Sequence, residues 1–111
     1  MFYMMSSFNL KPDITVQDFE TCLNAFAQHM ESMALIESIG KLCVRESDTP
    51  MDTDSERNQC FWFLTEFQDK DQCDRSYEYI LQAEKYPKEL HNDVYHKVTD
   101  AMFVCFTDEN K

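Results

Sequence analysis

Residues 2–10 (FYMMSSFNL) form an apolar, aromatic run without charge, and Lys11-Pro12-Asp13 closes it. Proline cannot continue a ladder, so the pattern predicts a strand ending in a turn. Thr15 then opens a helix, with Asp18 three residues later in capping-box spacing. Val16, Phe19, Leu23, Phe26, Ala27 and Met30 recur at intervals of three and four, while Asp18, Glu20, Gln28 and Glu31 lie away from that face. This amphipathic helix is predicted to run to about Met33. Residues 35–46 (LIESIGKLCVRE) alternate in part, and Gly40 marks a bulge or bend within a long strand. A polar, acidic stretch from Ser47 to Glu56, containing Pro50, reads as a loop.

The strongest strand signal is residues 58–67 (NQCFWFLTEF). Phe61, Phe63 and Phe67 fall on one face and Cys60, Trp62 and Leu64 on the other, so both faces need cover. Asp69 caps a second helix with Gln72 three residues on, and Cys73, Ser76, Tyr77 and Ile80 make its inward stripe. Tyr86-Pro87 interrupts it, and Pro87 suits the first turn of a short helix from about 88 to 98. Ala101 to Thr107 (AMFVCFT) is a last strand, apolar on both faces, followed by a polar tail from Asp108 to Lys111.

The order β-α-β-β-α-(α)-β predicts an α+β, ferredoxin-like fold: one four-stranded antiparallel sheet with helices on one face. The third and fourth strands are nevertheless apolar on both faces, and no segment is left to cover the second one. A second copy, packed sheet to sheet about a two-fold axis, is the simplest cover. The expected partner is therefore the chain itself.

Composition then narrows the function. The 111 residues suit a single domain spanning 1–111. Ten basic residues against 21 acidic ones leave a formal charge of -11, and the cations are scattered. That argues against nucleic acid and against anionic membrane surfaces as partners. Cys22, Cys43, Cys60, Cys73 and Cys105 are odd in number, form no C-x-x-C pair and sit in apolar runs. They are expected to be reduced core residues, which suits the cytoplasm. Met1-Phe2-Tyr3-Met4-Met5 lacks a basic flank and is too short for a signal-peptide core, and no apolar run is long enough to span a bilayer.

In element order nearly the whole chain resembles the dimeric α/β-barrel superfamily. That superfamily includes antibiotic-biosynthesis monooxygenase-like proteins, stress-responsive barrel proteins, and related haem-degrading and polyketide-cyclising enzymes. The start FYMMSSFNLKP, the loop SDTPMDTDSER and the close VYHKVTDAMFVCF look closest to a small, functionally uncharacterised bacterial branch. The resemblance implies a cavity between two sheets, or between each sheet and its helices, with apolar organic guests. Haem-degrading members use a strand Trp, a first-strand Asn and a second-helix His. Trp62 and Asn9 are present here, but the second helix has no histidine, so haem is not expected and no cofactor is assigned.

Two histidines could matter chemically. His91 lies in the apolar arc formed by Leu90, Val94 and Val98, and Tyr95 is one turn beyond it. An imidazole beside a phenol can serve as general base and oxyanion donor. The blander alternative is a half-buried histidine with a structural hydrogen bond. His29, at the border of the first helix's apolar arc, is placed at a pocket mouth or at a simple boundary, and His96 reads as solvated. The three histidines occupy separate faces and make no metal site. Asp48, Asp52, Asp54 and Glu56 alternate as in a calcium loop but lack its glycine, so they read as a solvated loop in which Arg57 pairs with a carboxylate.

Met4, Phe8, His29, Phe61, Trp62, Phe63 and Phe103 are the candidate ligand-lining residues, since methionine and aromatic side chains make adaptable apolar walls. Three functions follow. The chain binds a small apolar or amphiphilic molecule, fatty-acid-like or polyketide-like. Alternatively it is a cofactor-independent monooxygenase or cyclase using His91 and Tyr95, or a structural dimer without ligand.

Overall fold

The computed structural model describes residues 1–82 and 86–110. In chain order the elements are β1 (Phe2–Leu10), α1 (Val16–Ser32), β2 (Ser38–Ile39), β3 (Cys43–Val44), β4 (Phe61–Phe67), α2 (Lys70–Gln82), α3 (Tyr86–Tyr95) and β5 (Val98–Thr107). They form one antiparallel sheet in the order β2-β4-β1-β5, with β3 also pairing β4, so β2 and β3 share one edge position. This is the expected α+β, ferredoxin-like arrangement.

The long second strand expected over 35–46 is broken into two short pieces around Gly40. The Gly40 N–H still bonds the Leu64 carbonyl at 2.8 Å, so the edge stays attached at the break. Strand β4 begins at Phe61 rather than residue 58, because the Gln59 carbonyl and the Cys60 N–H bond side chains rather than a neighbouring strand's backbone. The Trp62 indole N–H donates to the Gln59 carbonyl at 3.2 Å, and the Cys60 N–H donates to Asn9 Oδ1 at 2.9 Å. The third helix spans Tyr86–Tyr95 instead of 88–98, and Pro87 falls in its first turn. Its end is set by β5, which starts at Val98 and passes Asp100 at a φ of 57° beside a register shift between Ser7 and Asn9. The interruption expected at Tyr86-Pro87 is not at that dipeptide, which belongs to α3; residues 83–85 and Lys111 of the tail lie outside the described residues.

Both helix starts follow the sequence. Thr15 Oγ1 accepts from the Asp18 N–H at 3.1 Å, and Asp69 Oδ1 accepts from the Gln72 N–H at 2.8 Å. The end of α1 is a Schellman turn: the Leu35 N–H reaches the Met30 carbonyl and the Ala34 N–H the Glu31 carbonyl. Ala34 carries the left-handed conformation that such a turn demands, with φ 56°. Buried Gln72 ties the turn to α2. Its amide NH2 donates to the Ala34 carbonyl and to Glu37, each at 3.1 Å, while its carbonyl accepts from the Gln68 N–H.

The register fixes the two faces. Phe2, Met4, Ser6 and Phe8 pair with Phe67, Thr65, Phe63 and Phe61, and this face carries the helices. Its core has two clusters, one on Met30, Leu35, Ile36 and Phe67, the other on Phe8, Phe19 and Leu23. The opposite face carries Tyr3, Met5, Trp62, Leu64, Met102, Val104 and Phe106, paired across β4, β1 and β5. No described helix covers it, and Val104 and Phe106 are exposed in the protomer.

The cysteine expectation needs correction. All five are free, as expected, but Cys43, Cys60 and Cys105 are exposed rather than core residues. Cys43 and Cys105 lie on edge strands and Cys60 just before β4, so an apolar run there is not an interior position. Tyr77 is likewise exposed, because the buried line of α2 runs through Gln72 and Ser76. The acidic loop is held together as a unit. Arg45 forks onto both Asp52 oxygens at 2.7 and 2.8 Å and onto the Asp54 carbonyl, and Arg57 pairs with Asp54. Among the described residues no helix is long and apolar enough to cross a membrane.

Candidate functional site

A cavity of about 600 Å³ opens between the sheet and the three helices. That volume suits a small organic molecule. It touches both core clusters: Met30, Ile36 and Phe67 from one, Phe8, Phe19 and Leu23 from the other. The two clusters do not merge into one packed core, and the space between helices and sheet is left open.

Of the residues predicted to line a ligand site, Met4 and Phe8 on β1, Phe63 on β4 and Phe103 on β5 line this cavity. His91 and Tyr95 on α3 join them in the wall, at the side where Tyr95 is exposed. Three predicted positions stand outside the cavity. Phe61 stacks on Phe8 with centroids 5.9 Å apart, filling the second core cluster. Trp62 has the opposite parity on β4 and points to the helix-free face. His29 Nε2 lies 2.8 Å from the Tyr79 hydroxyl, an α1–α2 contact away from the cavity wall. Asn9, which with Trp62 suggested a haem-like pattern, bonds Asp100 and the Cys60 N–H at the strand end.

The residues of the cavity that the sequence did not single out are mostly apolar, but they include several polar ones. Ser6 and Thr65 lie on the sheet floor, and Asp74 and Tyr77 lie on α2. Ser6 and Thr65 belong to the same alternation as Met4, Phe8 and Phe63, so strand parity was the signal that could have found them. Asp74 is paired with Lys70 at 2.7 Å and is exposed. Ser6 Oγ is buried and, among the described residues, has no hydrogen-bond partner.

Burial lowers the His91 pKa below its ordinary value of 6.5, with nearby His96 acting in the same direction and an Asn92 hydrogen bond opposing. The imidazole is therefore neutral at physiological pH, flanked by Phe26 at 5.7 Å and by Tyr95 at 5.8 Å between ring centroids. Burial also pushes the Cys73 thiol up to about 11, helped by the neighbouring Cys105, so this wall of the cavity carries neutral thiol rather than thiolate. Among the described residues no group of three or more His, Cys, Asp or Glu side chains is placed to hold a metal.

No family model matches the chain, and no curated protein matches it in sequence. Solved structures do match in shape. A protein from Arabidopsis thaliana shares 10% identity with a TM-score of 0.72, over 100% of this chain and 98% of its own. A dimeric ferredoxin-like protein of unknown function from Thermobifida fusca shares 12%, with a TM-score of 0.61 over 96% and 90% of the two chains. An antibiotic biosynthesis monooxygenase shares 14%, with a TM-score of 0.61 over 97% and 98%. At these identities the likeness is one of fold, and the fold is the one that the element order resembles.

Proposed function

We propose that the chain binds one small apolar or amphiphilic molecule, fatty-acid-like or polyketide-like, in the cavity between its sheet and helices. The observation that carries this reading is the cavity of about 600 Å³ walled by Met4, Phe8, Phe63 and Phe103 in the middle of the domain. A small domain gains stability by filling its core, and an apolar space of this size forfeits dispersion contacts unless a guest occupies it. The protein acts as a homodimer through the helix-free sheet face. The exposed apolar row on that face supports this, as does a neighbour in fold described as dimeric. With its five free thiols it fits the reducing cytoplasm.

Native mass spectrometry of the purified protein tests the binding reading. A co-purified small molecule, absent from a folded Ala101→Phe variant that fills the cavity, is the expected result. Wild-type protein that is empty and takes up neither myristate nor 2-naphthol overturns it.

A second reading has one observation in its favour. A neutral imidazole at the cavity wall beside a phenol has the form of a general base for a cofactor-independent monooxygenase or cyclase. It ranks second because stacked rings turn their faces, rather than their polar atoms, toward each other. A reaction whose rate follows a histidine titration and is lost in His91→Ala would put it first.

A further inference from the structure

The floor of the cavity contains one group whose chemistry is incomplete. Ser6 sits at the centre of β1, paired with Phe63 on one side and Phe103 on the other. It is 1% exposed, it lines the cavity, and among the described residues its hydroxyl has no hydrogen-bond partner. A buried orphan hydroxyl costs free energy that alanine at the same place would not. Its neighbour Ser7, on the other face, has no such deficit, since its hydroxyl donates to the Met102 carbonyl at 3.4 Å.

Building on the binding reading above, we propose that Ser6 Oγ is the polar anchor of the site. The ligand is then a neutral, ring-shaped molecule carrying a hydroxyl or carbonyl group at its inner end. The half-exposed Phe103 ring yields to let that group reach Oγ, and the flat walls of Phe8, Phe63 and Phe103 receive the ring. Neutrality follows from the charges on the wall. Among the described residues the one formal charge lining the cavity is Asp74, a carboxylate, and His91 is uncharged. Bringing a carboxylate ligand into such a site would desolvate it without a counter-charge.

Three bicyclic probes of one shape, naphthalene, 2-naphthol and 2-naphthoate, test the proposal by saturation-transfer NMR and calorimetry at neutral pH. In Ser6→Ala, a variant expected to fold because it deletes an unpartnered hydroxyl, 2-naphthol binding weakens about fivefold to tenfold while naphthalene binding is unchanged. In the wild type, 2-naphthoate binds at least about tenfold more weakly than 2-naphthol. Naphthalene and 2-naphthol that respond alike to Ser6→Ala overturn the anchor while leaving the cavity reading intact. 2-Naphthoate that binds as well as 2-naphthol overturns the neutral class. Wild-type protein that is empty and binds neither 2-naphthol nor myristate overturns the cavity reading itself. Ser6→Val, which also lacks the hydroxyl and changes the shape of the floor, serves as the second variant: a loss of 2-naphthol preference in both assigns it to the hydroxyl.

Discussion

His91 and Tyr95 stack ring on ring, 5.8 Å between centroids and 15° between planes, one turn apart on α3. Phe26 also lies against the imidazole, 5.7 Å between centroids and tilted by 59°, so two aromatic rings neighbour the histidine at the cavity wall. The pair links helix geometry to a titration, because burial beside these rings keeps water from a group that needs water to hold a proton.

The sign of the resulting pH dependence follows from linkage. The folded chain holds the His91 pKa below 6.5, whereas the unfolded chain has the ordinary value. Between the two, the unfolded state binds more protons, so stability falls as pH drops below about 6.5 and levels off once the folded form is also protonated. In His91→Phe, which keeps the aromatic packing, this acid-side decline is expected to shrink. Thermal unfolding of both proteins from pH 7.5 to 5 checks it, and an unchanged difference in Tm across that range would contradict the assignment.

Cys73 gives a chemical measure of how closed the cavity wall is. With its pKa raised to about 11, its thiolate fraction at pH 8 is about a hundredfold below that of a thiol at 9.0. Alkylation with iodoacetamide, followed by peptide mass spectrometry, is expected to label Cys73 at least about tenfold more slowly in the native protein than in urea. Equal rates in the two conditions would show that α2 leaves this wall open.

Ala34 is, with Asp100, one of two described non-glycine residues in the left-handed region. A left-handed residue closing a Schellman turn is usually glycine, since a Cβ there costs about 1–2 kcal/mol. Glycine loses about 0.4–1 kcal/mol back through the freer unfolded chain. Ala34→Gly is therefore expected to stabilise the protein by about 0.5–1 kcal/mol. Urea denaturation would register this as a higher midpoint at constant slope. A lower midpoint would mean that the Gln72 bond to the Ala34 carbonyl depends on a stiff backbone.

The parts legible in the sequence were those written as periodicity. Phe19, Leu23 and Met30 announced α1, and the alternation of Phe61, Trp62, Phe63 and Leu64 announced a strand with two apolar faces. The same alternation did not say which face meets helices, so Phe63 reached the cavity while Trp62 went to the far side. His29 and His91 both lay in or beside the apolar arc of a helix. What separates them is Tyr79, fifty positions from His29 in the chain, and no local pattern contains it. Ser6 was hidden for a different reason: a serine among aromatics reads as a neutral strand residue. Its meaning depends on whether a partner lies within reach in three dimensions.

The helix-free face gives the last test. Leu64, Met5 and Val104 lie side by side on three adjacent strands, so one row of apolar side chains crosses the sheet at its centre. Left in water, that row together with Tyr3, Trp62, Met102 and Phe106 would be an association-prone patch; against a second copy it becomes the middle of an interface. Met5→Glu places a carboxylate in the row without touching the helix side. In a two-fold dimer it brings two such charges into the same dry interface, where desolvation and mutual repulsion add. Sedimentation velocity at micromolar concentration is expected to give a dimer for the wild type and a folded monomer for Met5→Glu, with far-ultraviolet circular dichroism unchanged. A wild-type monomer would leave the apolar face without its proposed cover, and a dimeric Met5→Glu would move the contact to another surface.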